Sequence, residues 1–135
     1  MATKVLIDNS TGQVKYESAF ISPAPYDISG EAAGTPIVNT NIFDFKAPRA
    51  FTLKSSGHVA DCLTAPSGST VFTIKLNGSS IGTITYTSAG TSGTVAITSG
   101  TDTAIAVGDK ISITSPAASL NSIGTPFWTL VGTYP

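Results

Sequence analysis

Apolar and polar residues alternate along much of this chain, and the alternation is clearest across residues 69–87. Two alternating runs flank Asn77-Gly78, with apolar residues at Phe72, Ile74, Leu76, Ile84 and Tyr86. Strand side chains point to opposite faces in turn, so strict alternation indicates a strand with one buried face. Asn and Gly both tolerate the positive φ that a two-residue turn requires. This stretch therefore predicts a central β-hairpin.

Shorter alternating runs predict further strands on both sides of that hairpin. They cover residues 3–8, 13–17, 41–45, 50–54, 58–63, 94–98, 110–114 and 127–133, and Ile105 with Val107 forms one more short apolar pair. No stretch has the spacing of apolar residues that a helix needs. Many short strands separated by turns are typical of a sandwich or a barrel. The predicted fold class is all-β, an antiparallel jelly roll or β-sandwich.

The first 40 residues differ in pattern from the rest of the chain. The strands at 3–8 and 13–17 flank a turn and predict an N-terminal β-ribbon. Residues 19–40 contain repeated Pro and Gly, which prevents helix propagation and predicts a long connection. This connection is either an extended arm that contacts a partner or a loop that crosses one end of the sandwich. We therefore predict a ribbon and arm at 1–40 and a jelly-roll domain at 41–135.

The charge of the chain limits the classes of partner. The formal net charge is −1, and 11% of residues are charged. No basic stripe is available to neutralise phosphates, so nucleic-acid binding is not expected. No apolar run has the length of a membrane span, so no membrane partner is expected either, nor secretion through a membrane.

Charged residues are distributed unevenly. None lies between Lys75 and Asp102, and none follows Lys110. A soluble surface is ordinarily about a quarter to a third charged. Either a small core with many hydroxyl groups or coverage by partner subunits explains the shortage. We favour coverage, because Phe127 and Trp128 lie within the charge-free C-terminal stretch.

Reactive side chains come together only at His58, Asp61 and Cys62. A Cys–His nucleophilic pair needs hydrogen-bond contact, an orienting group and a cleft. We favour a buried Cys and an edge His instead, and one His with one Cys cannot complete a structural zinc site. The remaining carboxylates are scattered, and Asp102 and Asp109 lie at turns, where Asp accepts backbone N–H bonds. We expect no catalytic residue, no metal, no cofactor and no small-molecule substrate.

Three pieces of the sequence resemble a jelly-roll module of tailed-bacteriophage virion proteins. They are Leu63-Thr64-Ala65-Pro66-Ser67-Gly68-Ser69, Ile74-Lys75-Leu76-Asn77-Gly78-Ser79-Ser80-Ile81 and Ala106-Val107-Gly108-Asp109-Lys110-Ile111-Ser112-Ile113. Their order and spacing are similar to the phage pattern from about Ala50 onward. The module occurs in capsid decoration (cement) proteins, head fibres and tail tips, so the resemblance implies a non-enzymatic virion structural role.

Among these roles the chain looks most like a decoration protein. The resemblance then implies binding to the major capsid protein of the assembled head, a homotrimer, and a location on the capsid surface after assembly in the host cytoplasm. We expect the ribbon and arm to contact the capsid or a neighbour through Val5, Ile7, Tyr16, Phe20 and Tyr26, and we expect Phe127 and Trp128 to lie near the oligomer seam. The alternative is a tail-fibre or baseplate-tip module that binds a host surface glycan, with Trp128 or Tyr26 stacking on sugar.

Overall fold

A computed structural model of the chain describes the backbone of residues 2–7 and 14–19, and residues 24–135 with their side chains. These residues form strands, turns and loops without a helix. The strands are β1 (Ala2–Ile7), β2 (Val14–Ala19), β3 (Ala24–Pro25), β4 (Ile28–Glu31), β5 (Asn41–Lys46), β6 (Phe51–Leu53), β7 (Val59–Thr64), β8 (Thr70–Leu76), β9 (Ser79–Tyr86), β10 (Ser92–Ile97), β11 (Thr103–Ile105), β12 (Lys110–Thr114), β13 (Gly124–Leu130) and β14 (Gly132–Tyr134). Among the described residues, no helix is long and apolar enough to cross a membrane.

The body of the fold consists of two antiparallel sheets. The larger sheet has eight strands in the order β4-β13-β7-β10-β9-β8-β12-β5, and it curls until it is nearly closed like a barrel. The smaller sheet has four strands in the order β11-β6-β14-β3. The predicted all-β antiparallel sandwich of the jelly-roll class is therefore confirmed.

The central hairpin is confirmed in detail. Strands β8 and β9 pair antiparallel on either side of Asn77 and Gly78, whose φ angles are 50° and 87°. Both values lie in the left-handed region that Asn and Gly tolerate better than other residues. The apolar positions of the alternation point inward: Phe72, Ile74, Ile84 and Tyr86 are buried and Leu76 is half-buried.

One hydrophobic core joins the two sheets. Ile111 and Ile113 of β12 are fully buried beside the hairpin, as the alternation predicts. The small sheet adds Phe51 and Leu53 of β6 and Ile105 of β11 to the same core. Val107, which the sequence paired with Ile105, lies outside β11 and is 67% exposed.

The prediction for residues 19–40 needs correction, because this segment contains two strands. Strand β3 pairs with β14 at the edge of the small sheet, and β4 pairs with β13 at the edge of the large sheet. Both strands are short and contain Pro25 or Gly30, so no alternating apolar run marks them in the sequence. An edge strand tolerates proline because one side of its backbone has no strand partner.

The predicted last strand at 127–133 is in fact two strands. Strand β13 runs to Leu130 in the large sheet, and β14 begins at Gly132 in the small sheet. The chain therefore passes from one sheet to the other at Val131. At the other end of the chain, β1 and β2 form the predicted antiparallel ribbon, with Ala2 paired to Ala19 and Ile7 to Val14.

Candidate interaction surface

The three reactive residues of the sequence lie close in the chain but have separate partners. No hydrogen bond joins the side chains of His58, Asp61 and Cys62 among the described residues. Cys62 is buried, and burial, with the charge of Asp61, raises the pKa of its thiol. A buried thiol with a raised pKa is a poor nucleophile. Within residues 24–135, no three His, Cys, Asp or Glu side chains are grouped to hold a metal.

His58 links the two sheets. Its Nδ1 accepts a hydrogen bond from the backbone N–H of Val131, at 2.9 Å, where the chain passes between the sheets. The Nδ1 atom must be unprotonated to accept this bond. Burial lowers the pKa of His58, and a hydrogen bond with the Lys54 backbone opposes that shift. The geometry therefore gives His58 a structural role at this junction.

The two aromatic residues proposed for sugar stacking lie largely inside the protein. Trp128 is 2% exposed, and its indole meets the ring of Phe43 edge-on. Tyr26 is half-buried and its ring lies against Phe51, with centroids 4.8 Å apart. The sequence hypothesis of an oligomer seam named Phe127 and Trp128 together. Because neighbouring strand residues face opposite ways, the structure exposes only Phe127 of the two.

Phe127 is the centre of an apolar and acidic area on the outer face of the large sheet. In the ladder it is the direct partner of Glu31 on β4 and of Asp61 on β7. Directly paired residues project to the same face, so a carboxylate stands on each side of the ring. Val59 and Leu63 lie diagonally on β7 and are 59% and 72% exposed. We call Glu31, Val59, Asp61, Leu63 and Phe127 the Phe127 surface.

Two shallow grooves follow β13 on this face. The first, of about 320 Å³, lies on the β4 side, between Glu31 and Phe127. The second, of about 80 Å³, lies on the β7 side, between Asp61 and Phe127. Neither Glu31 nor Asp61 takes part in an ion pair among residues 24–135. The Phe127 surface thus offers an aromatic ring, aliphatic side chains and two carboxylates to a partner.

At the hairpin end of the sandwich, two of the pieces that resemble the phage module are joined. The Asn77 amide donates to Asp109 Oδ1 at 2.8 Å, and the backbone N–H of Lys110 donates to Asn77 Oδ1 at 2.9 Å. Asp109 also accepts from the backbone N–H of Ala106, as expected for Asp in a turn. These bonds lower the pKa of Asp109, with the Asn77 amide as the largest cause. Asp102 was expected to accept a hydrogen bond from a nearby backbone N–H of its own turn, but it accepts from the backbone N–H of Ser55, 47 residues away.

The other expected contact residues can be placed only in part. Val5 and Ile7 lie on β1 and Tyr16 lies on β2, but their side chains are outside the described residues, as is all of Phe20. Sequence reasoning missed Glu31, Val59 and Leu63. Val59 and Leu63 alternate with Ala60 and Cys62 in the predicted strand, and that alternation was the available signal.

No protein-family model matches this chain. No curated protein matches it either.

Proposed function

We propose that this chain is a structural protein of a tailed-bacteriophage virion, a capsid decoration protein that binds the assembled head and stabilises it. The supporting observation is the arrangement of the pieces that resemble the phage module. Strand β8 pairs with both β9 and β12, and the Asn77 amide joins the hairpin turn to the turn before β12. Two of the three pieces, although separated in sequence, therefore form one structural unit, as a shared fold would require.

The mechanism is thermodynamic. A protein that binds the expanded capsid but not its separated subunits stabilises the shell by its binding free energy. A nearly closed sheet with a continuous core suits this role, because a rigid protein loses little conformational freedom on binding. The partner is the major capsid protein, and the decoration protein itself forms a homotrimer on the capsid surface.

The proposed contact residues of the ribbon and arm are those expected from the sequence. The ribbon and arm contact the capsid through Val5, Ile7, Tyr16 and Phe20. Tyr26 is half-buried against Phe51, so it supports the start of the body more than it contacts a partner. Of the two residues expected at the oligomer seam, only Phe127 contacts the neighbouring copy, because Trp128 is inside the protein.

Co-sedimentation with expanded empty capsids of the phage that encodes the chain tests this function. We expect the full-length protein to sediment with the capsids and to raise their melting temperature. Tyr16→Ala and Phe20→Ala should weaken binding while leaving the melting temperature of the free protein unchanged. Point variants are preferable to deletion of residues 1–30, which would remove β3 and most of β4. A protein that stays in the supernatant but binds host cells would support the tail-tip alternative and overturn the decoration proposal.

A further inference from the structure

Among residues 24–135, two clusters of charged side chains, of opposite sign, take part in no ion pair. Lys54 pairs with Asp102 and Lys110 pairs with Asp44. Asp27 accepts a hydrogen bond from the backbone N–H of Gly132, and Asp109 accepts hydrogen bonds from the Asn77 amide and the Ala106 backbone N–H. Among the described side chains, Glu31 and Asp61 remain on the Phe127 surface without a cation. A surface that combines unpaired carboxylates with an exposed ring fits a cationic side chain.

The cations that fit lie at the end of β5 and in the turn after it, residues 46–49, which we call the 46–49 loop. Lys46 and Arg49 are exposed and belong to neither ion pair of the described residues. The Arg49 guanidinium lies 5.5 Å from the centre of the Tyr134 ring, which restricts its position. Hydrogen bonds between Ala47 and the turn at Gly108 and Asp109, both 2.8 Å, hold the loop against the body. The loop is therefore a fixed basic projection.

An exposed aliphatic side chain accompanies this basic loop. Val107 directly precedes Gly108, whose N–H donates to the carbonyl of Ala47, and it is 67% exposed. The loop and Val107 thus offer two cations and an aliphatic side chain. The Phe127 surface offers two carboxylates, a ring and two aliphatic side chains. The two surfaces therefore carry opposite charges, and both have aliphatic side chains that can pack together.

We propose that the 46–49 loop of one copy binds the Phe127 surface of the next copy, head to tail. Lys46 and Arg49 then face Glu31 and Asp61, with a cation over the Phe127 ring and Val107 against the aliphatic side chains of β7. Such a contact joins two different patches, so it closes into a ring when the rotation between copies allows it. Closure into a trimer rests on the proposed function, whereas the contact itself does not.

Charge reversal tests the contact in the full-length protein. Sedimentation velocity over a wide range of concentrations would compare wild type with Glu31→Lys/Asp61→Lys and with Lys46→Glu/Arg49→Glu. Each reversed pair places like charges across the interface, so we expect association to weaken by about a hundredfold or more. The variant that carries all four substitutions restores opposite charges, and we expect it to associate again. Lys75→Glu, on neither surface, is the matched control and should leave the mass unchanged.

A ring-specific variant adds an independent readout. Phe127→Leu keeps apolar area but loses the aromatic face, and we expect association to weaken about tenfold. Val71→Ala removes a comparably exposed apolar side chain on β8 and should have no effect. Circular dichroism and thermal melting of every variant verify that the fold is intact.

Several results would overturn the inference: a monomeric wild type at all concentrations, reversed variants with wild-type mass, or a fourfold variant that stays dissociated. Loss of capsid binding on reversal with the oligomer intact would also overturn it, because the Phe127 surface would then contact the capsid. Wild type that associates through this contact but ignores capsids keeps the inference and removes the decoration function. A monomer that decorates capsids overturns the inference and keeps the decoration function.

Discussion

The ring of Phe43 meets the indole of Trp128 edge-on, with centroids 5.6 Å apart and planes at 84°. Phe43 lies on β5 and Trp128 lies on β13, next to β4, so the contact spans the two edges of the curled sheet. Gly30 on β4 makes this possible. A Cβ at that position would be 2.7 Å from two ring carbons of Phe43 and 3.0 Å from the indole.

Gly30→Ala should therefore destabilise the protein by about 1–3 kcal/mol, because the added methyl group overpacks the space beneath Phe43. Urea unfolding followed by intrinsic fluorescence measures the change. The same substitution in a Phe43→Ala background should have much less effect, with a coupling of about 0.5–3 kcal/mol between the sites. Equal losses of unfolding free energy in both backgrounds would show that Phe43 does not close the gap between the two edges of the large sheet.

His58 should make the protein less stable as the pH falls from neutral. Its pKa is lowered in the folded state, chiefly by burial, so the unfolded chain binds the proton more readily. Stability is complete above the ordinary His pKa of about 6.5 and declines as the pH falls towards the folded value. Urea midpoints at several pH values measure the slope.

His58→Asn supplies the control for this pH dependence. An Asn side chain can accept from the Val131 N–H but does not titrate. The variant should be less stable overall than wild type at neutral pH but should lose less stability on mild acidification. Parallel curves for the two proteins would exclude His58 as the titrating group.

Asn77→Asp should destabilise the protein at the hairpin end, and the loss of stability should be largest at neutral pH. The substitution replaces the amide that donates to Asp109 with a second carboxylate, so two like charges face each other. The lowered pKa of Asp109 means that its contribution is present above about pH 4 and is lost as the pH falls further. In the variant the pair takes up a proton at higher pH, and the urea midpoint should approach that of wild type on acidification.

Asn77→Gly separates this charge effect from the turn itself. Glycine tolerates the φ of 50° at this position but has no side chain to join Asp109 and Lys110. We expect it to be less stable than wild type, with no approach to wild type on acidification. An Asn77→Asp protein whose loss of stability does not change with pH would contradict the predicted charge repulsion.

Tyr86→Phe should destabilise the protein by about 1–2 kcal/mol without opening a cavity. The Tyr86 hydroxyl reaches the backbone oxygens of Asp61, at 3.1 Å, and Phe127, at 3.2 Å, directly behind the Phe127 surface. Burial raises the pKa of this hydroxyl well above its ordinary range, so it remains a donor. Tyr134→Phe, at a half-exposed ring, is the matched control, and equal effects of the two variants would argue against the predicted bonds.

Sequence reasoning succeeded where local pattern determines structure. The hairpin around Asn77-Gly78 and the strand at Lys110–Thr114 were predicted because alternation and turn chemistry are properties of neighbouring residues. The passage of the chain from β13 to β14 was missed and one strand was predicted, because an alternating run does not indicate which sheet a strand joins. Strand β4 was missed because it is short and contains Gly30, so no alternating apolar run marks it.

The candidate interaction surface was predictable only in part. Adjacent residues on a strand face opposite ways, so Phe127 and Trp128 could not both be exposed, but the sequence does not reveal which of them is. The side-by-side placement of Glu31, Phe127 and Asp61 depends on the register of three strands. Register is set by long-range pairing and cannot be read from any one segment.

The aromatic closure of the large sheet also affects how the protein behaves at high local concentration. Strands β4 and β5 end the sheet, and each has a strand partner on one side only. Open strand edges recruit further strands and lead to aggregation. Because Phe43 reaches across Gly30 to Trp128, the two edges face each other inside one molecule instead of facing other molecules. Many copies crowded together thus have less opportunity to grow a shared sheet.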